Sequence, residues 1–305
     1  MNVIGLRKEE KAFERRVPIV PAHVTQLVQD HGIDVVVEPS GQRAFSEASY
    51  LEAGASLSSL KGKTPNVILG IKEMPIGFYE EDKVYVFFSH TIKGQEYNMD
   101  MLQDLIDSGA TLIDYERVTD DKGRRLIYFG NWAGMAGISD TLRVFGKLLR
   151  KKGITPNPFS DMKPTLECDG LDEVREVFQH IADCIKQDGL PDSLLPFVVG
   201  FAGYGNVSRG AQEMFDILPH KTVNPDDLST LEPRNDVIYK CVFKEKDMVE
   251  PKNPEDGFDL QDYYRHGSDK YNGKFHRYAP YLTLLLNCIY WTKKYPRLLT
   301  REQIH

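Results

Sequence analysis

Four short segments concentrate side chains that can move protons or grip carboxylates. They are Glu14-Arg15-Arg16-Val17, Lys72-Glu73-Met74-Pro75, Ser89-His90-Thr91-Ile92-Lys93 and Asp114-Tyr115-Glu116, and each follows a short apolar run. Arg16 can clamp a carboxylate through two N–H groups, because a planar guanidinium fork matches the spacing of two oxygens. A lysine beside a second cation is harder to protonate, which makes Lys72 a candidate for proton transfer near neutral pH. His90 brings the side-chain type that titrates in that range unaided. The set suits a carboxylate-bearing substrate with a reacting carbonyl or imine. Either Lys72 or His90 can be the acid and the other the base. Any one of these residues alone reads as a solvated loop tip; their joint placement after successive apolar runs favours a site.

A second constellation begins at Pro196. An apolar run enters Gly203-Tyr204-Gly205-Asn206-Val207-Ser208, and a helical pattern continues through Ala211, Met214 and Phe215. Strand, glycine turn and helix form a dinucleotide-binding unit. Gly203 permits the tight turn and Gly205 lets the backbone approach a pyrophosphate. The free amides of Asn206, Val207 and Ser208 open the helix toward that anion. Ser208 stands where the pattern has its third glycine. The ribose-binding acid is expected about 20 residues further on. The next strand, 220–223, ends instead in Asn224, with Asp226 and Asp227 beyond it. A neutral Asn224 does not repel a 2′-phosphate, so the cofactor expected is NADPH, with NADH as the alternative.

To gather these segments, the chain must alternate strands with helices. Strands are expected at 3–6, 34–37, 67–71, 84–88 and 111–113, with helices at 22–30, 46–53 and 101–108 between them, the arrangement of an α/β domain with a mainly parallel sheet. Ligands of such sheets meet the loops at the carboxyl ends of the strands. Ile138, Leu142, Phe145, Leu148 and Leu149 recur at helical spacing within 131–152, a long helix ended by Gly153. A proline-rich linker (154–170), a helix (171–187), strands at 237–243 and 282–290, and an aromatic insert (244–280) read as an ordered loop complete the pattern. The expected fold class is α/β: two Rossmann-like domains with mainly parallel sheets, joined by a long helix. Residues 1–133 form the substrate domain, 134–152 the connecting helix and 153–305 the dinucleotide-binding domain.

Composition narrows the function. Acidic residues outnumber basic ones 45 to 38 in 305 residues, a net charge of −7, which argues against nucleic acid as the main partner. No run of roughly 18 apolar residues argues for a membrane span, and the start lacks a signal-peptide core. A cytoplasmic protein is expected, or a mitochondrial one from which a targeting segment has been removed. Cys168, Cys184, Cys241 and Cys288 form no CxxC pair, so they read as small apolar residues, with no disulfide framework and no metal site.

The motifs resemble the lysine-ketoglutarate reductase portion of the saccharopine-pathway enzymes, in the wider group that includes saccharopine dehydrogenase, alanine dehydrogenase and the NAD-binding subunit of transhydrogenase. The likeness runs through nearly the whole chain. Besides the four segments above, it is carried by Arg7-Lys8-Glu9-Glu10-Lys11, Asp121-Lys122-Gly123-Arg124-Arg125, Gly134-Met135-Ala136-Gly137, 203–212 and Asn287-Cys288-Ile289-Tyr290-Trp291. The runs at 89–93 and 205–212 look most like the reductase branch. The resemblance implies NADPH-dependent reductive condensation of L-lysine with 2-oxoglutarate to saccharopine. It implies that Lys72 and His90 are the acid/base pair and that Arg16 binds a substrate carboxylate. Glu14, Lys93 and Glu116 would tune charge or hold the amino acid, and Asn287 would lie at the cofactor. A saccharopine dehydrogenase domain, fused or separate, is the implied partner. The family pattern also leads us to expect a longer polypeptide, with the nucleotide domain incomplete before His305. Alternatives are an NAD-dependent, lysine-forming saccharopine dehydrogenase, an alanine dehydrogenase-like enzyme, and a nucleotide-binding regulatory fragment without activity.

Overall fold

The short β-branched and aromatic runs of the first half become six parallel strands. The computed structural model describes residues 2–62 and 65–303, and the chain divides into two units, the first ending at Tyr128 and the second opening at Phe129.

The first unit holds β1 (Val3–Leu6), α1 (Pro21–His31), β2 (Asp34–Val37), α2 (Glu47–Glu52), β3 (Ser56–Leu57), β4 (Val67–Leu69), β5 (Val84–Phe87), α3 (Met99–Asp107) and β6 (Thr111–Asp114). Helix α1 starts on Pro21, where a missing N–H costs nothing, and ends at Gly32, whose φ of 60° lets its amide close on the Leu27 carbonyl. Two apolar clusters result. Leu6, Val24, Val35, Val37 and Tyr50 form one; Ile68, Tyr85, Phe87, Met101 and Leu105 belong to the other. Tyr85 is fully buried, and its hydroxyl accepts from the Glu80 amide at 2.9 Å and donates to the Phe78 carbonyl at 3.3 Å. The sheet order is β3-β2-β1-β4-β5-β6. The chain therefore winds outward from β1 in one direction and from β4 in the other, which opens a crevice at the carboxyl ends of those two neighbours.

The second unit holds α4 (Gly130–Lys151), α5 (Leu171–Asp188), β7 (Val198–Ala202), α6 (Asn206–Phe215), β8 (His220–Val223), β9 (Ile238–Phe243), α7 (Glu245–Met248), β10 (Val249–Pro251), α8 (Leu260–His266), β11 (Tyr271–Gly273) and β12 (Leu284–Asn287). Its parallel sheet runs β12-β7-β9-β8. Every residue of β7 is buried, as in a strand covered on both faces. The insert read as a loop contains the antiparallel pair β10–β11, with Tyr263, Tyr271 and Phe275 buried around it. Among the described residues, no helix is long and apolar enough to cross a membrane.

Helices α4 and α6 meet backbone to backbone. A Cβ on Gly134 would lie 1.9 Å from the Val207 carbonyl oxygen, and one on Gly210 would lie 1.9 Å from that of Asn131. Gly137, on the same helix α4, meets nothing within 4 Å. Gly210→Ala is therefore expected to destabilise the protein by about 2 kcal/mol or more through overpacking. Gly137→Ala should stabilise it by roughly 0.5–1 kcal/mol by removing backbone freedom from the unfolded chain. Urea unfolding of the two variants tests the contrast, and equal effects would refute the close contact.

Candidate active site

The ladders of the first sheet extend past the strand ends and bring the sequence-selected segments side by side. The Arg7 amide donates to the Leu69 carbonyl at 2.9 Å, and the Phe88 amide to that of Ile71 at 3.1 Å. Lys72 and His90 thus leave from the carboxyl ends of the neighbouring strands β4 and β5.

Each is held by a carboxylate. Glu9, in the loop after β1, is 8% exposed and accepts from the amides of Ile71 at 2.7 Å and Lys72 at 3.0 Å. Burial raises its carboxyl above the ordinary value; the two amides and Arg7 pull the other way. Glu73 Oε1 lies 2.6 Å from His90 Nδ1 and accepts from Asn98 Nδ2 at 3.2 Å. Asn98 also donates to the Ser89 carbonyl at 2.8 Å. Burial pushes the Glu73 carboxyl up, but its own amide, His90 and Asn98 outweigh that and hold it below the ordinary value. His90 has a φ of 51°, a left-handed conformation uncommon outside glycine. Its ring is stacked with Phe88, at 6.2 Å between centroids and 16° between planes. A carboxylate partner requires the proton on Nδ1, so Nε2 is the nitrogen free to exchange a proton with a substrate.

Arg16 and Glu14 pair with one another. Arg16 Nε donates to Glu14 Oε1 at 2.7 Å, its Nη2 donates to Oε2, and its amide donates to Oε1 at 3.1 Å. The fork expected to clamp a substrate carboxylate is thus engaged by an internal one. Burial raises the Glu14 carboxyl, yet the Arg16 contacts and the nearby Lys72 charge hold it below its ordinary value. Glu116 pairs with Arg125 at 3.1 Å, while its Oε2 is buried without a hydrogen-bond partner among the described residues. Its amide donates to Asp114 Oδ1 at 2.8 Å, and Ser89 Oγ donates to Asp114 Oδ2 at 2.5 Å. Lys93 is exposed, on a turn closed by the Gly94 amide and the Thr91 carbonyl at 2.8 Å. Sequence reasoning assigned no role to Glu9 or Glu73. A carboxylate next to the candidate lysine was a usable signal for Glu73; Glu9 is indistinguishable within its charged run.

In the second unit, Gly203 has a φ of 90°, and its amide donates to the Phe243 carbonyl at 2.9 Å. Gly205 has a φ of −74°, and a Cβ there would meet nothing within 4 Å. Neither backbone nor neighbours require glycine at 205, so the space it leaves fits a group that must touch the main chain. Helical bonding begins with the Arg209 amide on the Gly205 carbonyl at 2.9 Å, and the amides of Asn206, Val207 and Ser208 precede it. These residues fit a pyrophosphate. Ser208 is fully buried, and its Oγ accepts from Gln212 at 2.9 Å. Asn287 ends β12 in register with Ala202, directly beside the turn. Asn224 lies apart, because β8 pairs with β9 and not with β7. A cavity of about 360 Å³ opens beside the turn, lined in part by Gly203, Gly205, Glu245, Tyr264, Cys288 and Tyr290.

Comparison with known proteins finds similarity along nearly the whole chain. Residues 5–136 match the family model of the alanine dehydrogenase/PNT N-terminal domain. The alpha-aminoadipic semialdehyde synthase of Arabidopsis thaliana is 35% identical across 99% of this chain, which spans 30% of that protein's length. The NAD(+)-dependent, L-lysine-forming saccharopine dehydrogenase of Emericella nidulans is 28% identical, over 99% of this chain and 70% of its own. A solved L-alanine dehydrogenase has the same fold, with a TM-score of 0.57 at 18% identity, covering 99% of this chain and 70% of that one.

The Glu14–Arg16 pair makes stability depend on pH with a definite sign. Since the folded value of Glu14 lies below the ordinary 4.5, ionised Glu14 stabilises the fold above that pH, and the contribution fades as pH falls through the folded value. Arg16 is partly exposed, so Glu14→Gln should cost only on the order of 1 kcal/mol at neutral pH. The cost should shrink under acid, as read by urea unfolding of both proteins across that range; a loss that grows on acidification would contradict the pairing.

Proposed function

We propose that the chain, whose residues 5–136 match the alanine dehydrogenase/PNT N-terminal domain and which is similar over nearly all its length to alpha-aminoadipic semialdehyde synthase, carries out the reductive condensation of L-lysine with 2-oxoglutarate to saccharopine. The observation that carries this reading is the adjacency of Lys72 and His90, each fixed by its own carboxylate at neighbouring strand ends. The first unit would take the amino-acid and keto-acid substrates and the second a nicotinamide dinucleotide. That cofactor, when bound, supplies the hydride.

All other work falls to the chain's own residues. The side-chain amine of lysine must be neutral to attack the ketone of 2-oxoglutarate, and the adduct must lose water to become an imine. One member of the Lys72–His90 pair takes the proton from the amine, and the other protonates the departing hydroxyl. His90 acts through Nε2, since Nδ1 is committed to Glu73. Arg16, held in orientation by Glu14, binds a substrate carboxylate. Glu116, with a buried oxygen lacking a partner among the described residues, suits an ammonium group of the amino acid. Lys93 lends positive charge to the same rim. A saccharopine dehydrogenase module, fused or separate, is the partner this reading calls for.

A second reading runs the same groups in reverse, oxidising saccharopine to lysine with NAD. It is favoured by the coverage of 70% of the Emericella nidulans dehydrogenase. Absorbance of the reduced nicotinamide tests both directions. Cofactor consumption should require lysine and 2-oxoglutarate together. Lys72→Ala and His90→Ala should each lower turnover by about 10²–10⁴-fold, with dinucleotide binding unchanged. Use of a different amino acid and keto acid in place of these would overturn the substrate assignment. Unchanged turnover in both variants would remove the catalytic roles.

A further inference from the structure

The strand order of the second unit changes which residue reads the cofactor. A strand end can reach the ribose next to a glycine turn only if it borders the strand that enters the turn. Strand β7 is bordered by β12 and β9, and β8 lies one strand further out. Asn224, at the end of β8, is thus removed from the turn. Its side-chain amide is also engaged, donating to Asp227 Oδ2 at 3.2 Å. The residues that follow β9 are Lys244 and Glu245.

Of these two, Glu245 lines the cavity with Gly203 and Gly205, and Lys244 does not. Glu245 is half-buried, and its Oε1 accepts from Tyr264 Oη at 2.6 Å and lies 3.5 Å from Tyr204 Oη. Both contacts use Oε1, so Oε2 is the oxygen available to a ligand hydroxyl. The charge is felt locally: Glu245 raises the Tyr204 phenol, and burial together with the Glu245 hydrogen bond raises that of Tyr264. The rings of Tyr204 and Tyr264 are partly exposed and give the cavity flat apolar walls of the kind a purine base stacks on.

We infer that Glu245 selects the dinucleotide: its carboxylate accepts from the adenosine ribose 2′-hydroxyl and repels a 2′-phosphate, so the chain takes NADH in preference to NADPH. This reverses the preference expected from Asn224, and it rests on the reading of the second unit as the dinucleotide-binding one.

Calorimetric titration of the full chain with NADH and with NADPH, in the absence of substrates, tests the assignment. The unmodified chain should bind NADH roughly ten- to hundredfold more tightly, the scale of one charge-assisted contact exchanged for one repulsion. Glu245→Gln and Glu245→Ser should both remove most of that ratio, and Asn224→Asp should leave it unchanged. A native preference for NADPH, or a ratio that follows residue 224 and ignores residue 245, overturns the assignment. Binding of both dinucleotides without preference also overturns it while leaving the nucleotide reading intact. Binding of neither defeats the nucleotide reading and this assignment with it.

Discussion

The buried carboxylate of Glu9 connects the loop after β1 to the second and third residues past the end of β4. Burying such a charge is costly, and the cost is raised further by the neighbouring charge of Glu14. Two charge-assisted hydrogen bonds from backbone amides offset it, and those amides would otherwise end a ladder unpaired in a buried place. The consequence is positional. With its amide held, Lys72 has a fixed backbone, and so does the next residue, Glu73. Glu73 in turn holds His90, and Asn98 holds Glu73 from the start of α3. A single run of contacts thus joins the carboxyl ends of β1, β4 and β5. The acid/base pair of the proposed reaction inherits its geometry from an acid that takes no part in the chemistry.

Glycines in the second unit do separate jobs that look alike in sequence. Gly203 is required by its own left-handed backbone. Gly205 is required by neither conformation nor neighbours, so the space it leaves is of use only to a ligand. The close approach of helix to its surroundings, assigned in the motif to a third glycine, falls to Gly210 and Gly134, where α6 crosses α4. Ser208 can replace the motif glycine because its hydroxyl is satisfied by Gln212 within the same helix. An imperfect motif is therefore compatible with an intact turn, since the packing constraint has moved two residues along the chain.

The legible parts of this molecule were those encoded locally. Apolar runs such as Asp34–Val37 and Val84–Phe87 mark buried parallel strands whatever their neighbours, and the charged residues after them could be read as one rim because parallel strands end on one side. Strand order is another matter. Nothing within His220–Val223 or Ile238–Phe243 states which of them borders β7, because that depends on which face of each strand the helices cover. The expectation that Asn224 sits beside the glycine turn took the sequential neighbour for the spatial one. The insert 244–280 lacked periodicity because its elements are short: helices of four and seven residues and strands of three. Glu9 stayed hidden for a different reason, since a buried and a solvated glutamate are spelled alike.

The internal pairing of Arg16 with Glu14 bears on how a site rich in carboxylates would receive the dicarboxylate of the proposed reaction. An unpaired guanidinium would gain the most from a substrate, but it would also be strongly hydrated, and that hydration is lost on binding. A guanidinium already paired with a nearly buried carboxylate is largely desolvated on that face and fixed in orientation. Exchanging one carboxylate partner for another then changes little in solvation, and binding draws mainly on geometry. The same holds for Glu116, whose bond to Arg125 fixes one oxygen while the other is buried and unmatched among the described residues. Such a site is selective by shape and by the count of unmatched donors and acceptors more than by net charge. An overall charge of −7 is no obstacle to binding an acidic substrate when the local groups are already balanced in pairs.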